Sequence, residues 1–209
     1  MVVYLSHMAP RFRFIRGRRA HLSLSQAAEP HLPRRREFSM ALESMQDLFI
    51  NELKDVYNAE NQLLKALPRM AKAADAPPLR AAFEKHLRET EGQVQRLEQI
   101  FERLDEKPTG KRCVGMEGLV AEGKEIIGEN GQEAVLDAAL IAAAQRVEHY
   151  EIAAYGCLIT YAGLLGDRNA EKLLKQTLAE EEATDKALTA LGQSGINQAA
   201  VAAGQNKED

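Results

Sequence analysis

Glu148 and Glu151 stand one helical turn apart in the run Ala143-Ala-Gln-Arg-Val-Glu-His-Tyr-Glu-Ile-Ala-Ala-Tyr155. At helical spacing, Ala138, Ile141, Gln145, Glu148, Ile152, Tyr155 and Ile159 form one stripe that the pattern turns inward, with Glu151 beside it. A glutamate on such a stripe is ordinarily paired with a Lys or Arg three or four positions away. Here those positions hold Ala144, Gln145, Glu151 and Ile152 around the first, and Val147, Glu148, Ala154 and Tyr155 around the second. Two carboxylates facing a core without a cation repel each other and each lose hydration worth several kcal/mol. Either a multivalent cation balances them, or the stripe is tilted and both reach water at its edge.

The same omission recurs along the chain. Glu60 has only Val56, Tyr57, Leu63 and Leu64 as turn neighbours, and Glu181 has Thr177, Leu178, Thr184 and Asp185. His86, Glu89 and Gln93 make a polar row at spacings of three and four, although Lys85 stands four residues before Glu89 and offers it a surface pair. Glu182, with Lys186 four residues on, reads as an ordinary exposed pair. Carboxylate oxygen with a little nitrogen suits iron or manganese. The candidate metal ligands are therefore Glu60, Glu89, Glu148, Glu151, Glu181, Gln93, Asp185 and His86.

Four long amphipathic helices are needed to bring these groups to one level. Helix A is predicted over residues 44–74, with Ser44 as its cap and Pro68 kinking it late; helix B follows over 77–105, after a stop at Asp75-Ala-Pro-Pro78. A glycine-rich stretch over 107–131, holding one short helix near 116–127, has the length of a crossover. Helix C spans 132–165. The Gly166-Asp167 turn starts helix D, 168–191, and the chain past Ser194 is small and polar, with a flexible tail over 201–209. A short turn, a long crossover and a second short turn give an all-α, ferritin-like antiparallel four-helix bundle over residues 40–200. Glu60, Glu89, Glu148 and Glu181 then fall in the middle third of their helices.

Residues 1–39 carry eight arginines against two glutamates, a formal charge of 8 − 2 = +6, so the overall −4 leaves −4 − 6 = −10 for the remainder. An acidic main domain argues against a nucleic-acid surface on it. The extension reads as disordered. A translation start placed too early, with Met40 or Met45 the true beginning, an arginine-rich targeting segment and a polyanion-binding arm are the competing readings; the first is favoured because a good helix begins just past Met40. Cys113 and Cys157 make no metal-ligand or CxxC spacing, and with no secretory signal they suggest inert thiols in a cytoplasmic protein. No apolar run nears the roughly 20 residues of a membrane span.

Over about residues 42–200 the sequence resembles the YciE/YciF-type group of bacterial ferritin-like proteins. The matching words are Asp47-Leu-Phe-Ile-Asn-Glu-Leu-Lys-Asp-Val-Tyr-Asn-Ala-Glu-Asn-Gln62, His86-Leu-Arg-Glu-Thr-Glu-Gly-Gln-Val-Gln-Arg-Leu-Glu98, Met116-Glu-Gly-Leu119, Glu148-His-Tyr-Glu-Ile-Ala-Ala-Tyr155 and Leu178-Ala-Glu-Glu-Glu-Ala-Thr-Asp185. More distantly, Ala59-Glu-Asn-Gln62 and the Glu148/Glu151 pair look like the corresponding helices of rubrerythrin. The resemblance implies a di-iron or di-manganese site bridged by Glu89 and Glu181, a stress-linked ferroxidase or oxidase role using O2 or peroxide, and a homodimer. For an oxidase, Tyr57, Tyr150 and Tyr155 are candidates for supplying an electron, with amphipathic core packing the commoner explanation for each. The broader di-iron pattern wants Glu-x-x-His on two helices. Here Gln93 stands where one histidine is expected and Thr184, beside Asp185, where the other is, leaving His86, His149 or no histidine at all to supply nitrogen. A carboxylate-rich site of that kind also fits a metal-binding or structural stress protein without turnover.

Overall fold

The computed structural model describes residues 42–109 and 111–205; the basic extension expected over 1–39 lies outside them. Every regular element among the described residues is helical: α1 Met45–Ala73, α2 Pro77–Arg103, α3 Val114–Gly128, α4 Glu133–Leu165, α5 Arg168–Leu191 and, after a π turn over Gly192–Ile196, α6 Asn197–Gln205. No helix among them is long and apolar enough to cross a membrane.

The helix ends follow from local chemistry. The Ser44 hydroxyl accepts from the Asp47 amide, satisfying one of the free N–H groups at the start of α1. Pro77 and Pro78 occupy the first positions of α2, where a missing N–H costs nothing. Gly166, at φ 75°, takes the left-handed conformation that ends α4, and the Asp167 carboxylate accepts from the amides of Asn169 and Ala170 to start α5. Pro68 does not end α1, which stays helical to Ala73. Residues 201–205, assigned to the flexible tail in sequence, form the end of α6.

Helices α1, α2, α5 and α4 pack each against the next in a ring, the antiparallel four-helix bundle; α3, in the α2–α4 crossover, lies across α1 and α4. The apolar core is split in two. Phe49, Leu53, Val56, Leu97, Phe101 and Leu158 fill one end. Leu63, Leu67, Met70, Phe83, Met116, Leu140 and Leu188 fill the other. Between them lies a layer of buried polar groups: Glu60, His86, Thr90, Gln93, Glu148, Glu151, Thr177, Glu181 and Thr184.

The buried face of α4 is turned from the stripe read in sequence. Asp137, Leu140, Ala144, Val147, Glu148, Glu151, Tyr155, Leu158 and Ala162 are buried, whereas Gln145, Ile152 and Ile159 are half-buried. Alanine dominates this helix and leaves its apolar pattern weakly directional, so the exposure of the large side chains had to be settled by α3 and α5 packing on its flanks. The rotation brings Glu151 from the margin to the middle of the inward face.

Asp137 is a buried carboxylate with a structural task. Its two oxygens accept from the backbone amides of Asp75 and Ala76 at 2.9 and 2.8 Å, pinning the α1–α2 turn to α4. Both amides would otherwise be left without partners beside the core. Replacing Asp137 by Ala should cost about 2–4 kcal/mol, since hydrogen bonds to charged acceptors are worth about 1.5–3 kcal/mol each. Thermal unfolding followed by circular dichroism should show a melting temperature lowered by roughly 5–10 °C.

A candidate metal centre of glutamates and one histidine

Each wall of the bundle contributes to the polar layer. Glu60 comes from α1, His86, Glu89 and Gln93 from α2, Glu148 and Glu151 from α4, and Glu181 from α5. Ligand atoms of His86, Glu148, Glu151 and Glu181 all lie within 4.8 Å of one another, and all four residues are buried. His86 Nε2 is 3.4 Å from Glu148 Oε1 and 3.7 Å from Glu181 Oε2. On the other side of the ring, Nδ1 is 3.4 Å from the Thr184 hydroxyl and 3.9 Å from Glu89 Oε2. A proton on Nδ1 leaves the Nε2 lone pair facing the carboxylates, the tautomer that a metal ligand needs.

Two side chains steady the cluster. The Tyr155 hydroxyl, fully buried, donates to Glu60 Oε1, and the Gln93 amide donates to Glu181 Oε1 and, at 3.2 Å, to Glu180 Oε2. What remains is decisive. Among the described residues, the buried side-chain oxygens and nitrogens without a hydrogen-bond partner are Glu60 Oε2, His86 Nε2, Glu89 Oε2, Gln93 Oε1, Glu148 Oε2, both oxygens of Glu151, and Glu181 Oε2. All belong to this one layer. Buried polar atoms are otherwise almost always paired, so a set of lone pairs converging in one place marks a site for something electrophilic.

Burial pushes the carboxyls of Glu60, Glu148 and Glu151 well above the usual range, and repulsion pushes them further, from Glu181 for Glu60 and Glu148 and from Glu60 for Glu151. Glu181 moves up as well, by burial, with the neighbouring His86 pulling against it. Glu89 moves the other way: contact with His86 and then the ion pair with Lys85 hold it low, against burial. Burial and the Glu60 charge raise the Tyr155 phenol far above its ordinary value. Without a bound cation, burial and repulsion favour the protonated form of these carboxyls.

The remaining expected residues sit at the edge of the cluster or away from it. Asp185 stays half-buried on the rim, where Gln145 Nε2 donates to it at 3.0 Å and His149 Nε2 stands 3.3 Å away; His149 itself is exposed. Tyr57 is turned away from the cluster, its hydroxyl on Glu98 and its ring edge-on to Phe101, because it follows rather than faces the inward line of Val56 and Glu60. Tyr150 points to Asp55 and Cys113 instead. Glu89 gives one oxygen to Lys85 and keeps the other in the buried layer. Sequence reasoning missed the three threonines that line the layer and Arg96, which reaches Thr177 and Glu180 from a different helix and stops short of the carboxylates. Thr90, Thr177 and Thr184 lie four, four and three residues from His86 or Glu181, a spacing that could have flagged them.

With this geometry in hand, the relatives are informative. A family model described as "Domain of unknown function (DUF892)" matches residues 44–201. The chain belongs to that family. It is 49% identical over 162 residues to protein YciF of Escherichia coli (strain K12), covering 77% of this chain and 98% of that one. The crystal structure of the E. coli stress protein YciF matches with a TM-score of 0.72 over 74% of this chain and 98% of that one. YcfI of Rhodopseudomonas palustris, provisionally described as a structural protein, matches at 43% identity with a TM-score of 0.70, over 73% and 97% of the two chains. A Xanthomonas campestris protein at 19% identity, with a TM-score of 0.62 over 78% and 99% of the two chains, shares the fold alone.

The raised carboxyls give a definite pH dependence. The folded, metal-free chain binds protons that the unfolded chain has released above about 4.3, so its stability falls as pH rises beyond the ordinary carboxylate range. Urea titrations of the metal-free protein should give a higher midpoint near about pH 5 than near about pH 8. Glu151→Gln, which keeps the shape and removes one titrating carboxyl, should flatten that slope and raise stability at neutral pH.

Proposed function

We propose that this DUF892 protein binds two metal ions, iron or alternatively manganese, in its polar layer and oxidises Fe(II) as a ferroxidase-like stress protein. The observation that carries the reading is the convergence of unpartnered lone pairs from Glu60, His86, Glu89, Glu148, Glu151 and Glu181 in the centre of the bundle. The printed description of E. coli YciF as a stress protein supports the physiological setting. Iron held there would supply one-electron reductions and be oxidised in turn: two Fe(II) would give two electrons that, with two protons, would take O2 to hydrogen peroxide or hydrogen peroxide to two waters.

The chain's own side chains do the rest. The carboxylates and His86 Nε2 supply ligand atoms, and Gln93 fixes one Glu181 oxygen so that the other faces inward. Glu89, tied to Lys85, is the most exposed acid of the set and bridges inside and outside. Tyr155 holds a proton against Glu60 in a dry position and is the one tyrosine of the expected three whose hydroxyl touches the layer. The apolar zones above and below exclude water, which strengthens every charge interaction between them.

A second reading, a non-catalytic metal-binding or structural protein acting as a dimer, is favoured by one specific feature. Gly92 and Thr184 occupy the positions three residues after Glu89 and Glu181 where the di-iron pattern places histidines, and Gln93 beside the first offers only an amide, so the site is poorer in nitrogen than a site built for oxygen chemistry. Anaerobic loading with Fe(II) followed by exposure to air separates the two. The first reading expects two irons per chain and oxidation at least about tenfold faster than without protein, lost in Glu148→Ala and kept in the exposed Glu182→Ala. Stoichiometric binding with oxidation no faster than the protein-free control would select the second.

A further inference from the structure

Away from the polar layer, α3 leaves a gap where it crosses α1 and α4. A cavity of about 330 Å³ lies there, walled by Leu63 and Met70 of α1, Val120 and Ile127 of α3 and Val147 of α4. A second of about 430 Å³ adjoins it, sharing Arg69 and Ile127 and running on to Leu136 and Leu140. Volumes of this size are those of small-molecule sites.

The polar groups at its edges are all of one sign. Arg69 and Lys124 edge the first cavity and Lys72 the second, and no Asp or Glu lines either. That is unexpected in a domain whose formal charge is −10, counted over residues 40–209 as −4 − 6. Among the described residues none of the three cations has an ion-pair partner. The gap is also kept open by composition. Gly123 and Gly128 both line it, and a Cβ on either would meet nothing within 4 Å. A glycine inside an exposed-edge helix costs stability relative to almost any other residue. The space would accept a side chain that the sequence does not provide.

We propose that this groove binds a single-tailed amphiphilic carboxylate, a free fatty acid, with its tail between α1, α3 and α4 and its head at Arg69 and Lys124. The apolar walls reward burial of methylenes, and a guanidinium matches a carboxylate in bidentate fashion. One acyl chain suits the volume, whereas a two-tailed membrane lipid does not.

The test uses the full chain and dodecanoate, kept below its micellar concentration, measured by calorimetry and by displacement of a fluorescent fatty acid. One dodecanoate should bind per chain, more tightly than decanoate by about fifteenfold, at roughly fourfold per methylene for two methylenes. Gly123→Leu fills the cavity while replacing a helix-weakening residue, so it should fold at least as well and lose at least about tenfold in affinity. Arg69→Ser with Lys124→Ser should weaken dodecanoate and leave the neutral dodecanol unchanged. Binding should survive Glu148→Ala, which separates this site from the metal layer. The proposal is overturned if the native chain does not bind dodecanoate, if Gly123→Leu binds it equally well, or if dodecanol binds the native chain as tightly. It is equally overturned if sedimentation shows a second copy covering the groove, with Gly123→Leu dissociating the pair and dodecanoate excluded from it.

Discussion

Negative charge in a place without water constrains this molecule more than any other feature. Glu60, Glu148, Glu151 and Glu181 are at most 1% exposed, and Arg96, which reaches the edge of the layer at Thr177, is engaged with Glu180. An unpaired buried ion costs several kcal/mol, and a domain has only about 5–15 kcal/mol of net stability. Four ionised carboxylates together would exceed that margin. Protons can occupy the cluster, as the raised carboxyls indicate, but each supplies one donor where several lone pairs converge. Multivalent cations satisfy both requirements, since they offset the charge and occupy the lone pairs.

The rest of the bundle follows from holding that layer in place. Two apolar cores, one on each side, bring the four helices into register so that residues 60, 86, 148 and 181 meet at one height. Threonines at 90, 177 and 184 keep the layer's walls small and polar where a leucine would close it. Asp137 fixes the α1–α2 turn against α4 and thereby the relative height of the two helices that carry Glu60 and Glu148. Stability and site geometry are coupled through the same backbone, so a change at the turn should be felt at the cluster.

Much of this was legible in the chain itself, and the reasons are particular. Glu60, Glu148 and Glu181 stood out because helical spacing places apolar or acidic neighbours around them and no cation, a local property that packing does not alter. The long glycine-containing crossover gave the connectivity. The exact face of α4 was not legible, because an alanine-rich helix has little directional pattern and the outcome depended on α3 and α5. The same holds for Tyr57 and Asp185: both lie next to the inward line in sequence, and a rotation of one residue decides whether such a side chain meets the cluster or the surface. Arg96 and Asp137 act across helices, at separations of 81 and more than 60 residues, where spacing within one helix carries no information.

Cations are expected in the space between His86 Nε2 and the carboxylates. Crystals of the protein soaked in Mn(II), with diffraction recorded at a wavelength where manganese scatters anomalously, address this directly. Anomalous density is expected within bonding distance of His86, Glu148, Glu151 and Glu181, and none there in crystals of Glu148→Ala. Density confined to surface acids such as Glu182, with the buried layer empty and its side chains in place, would contradict it.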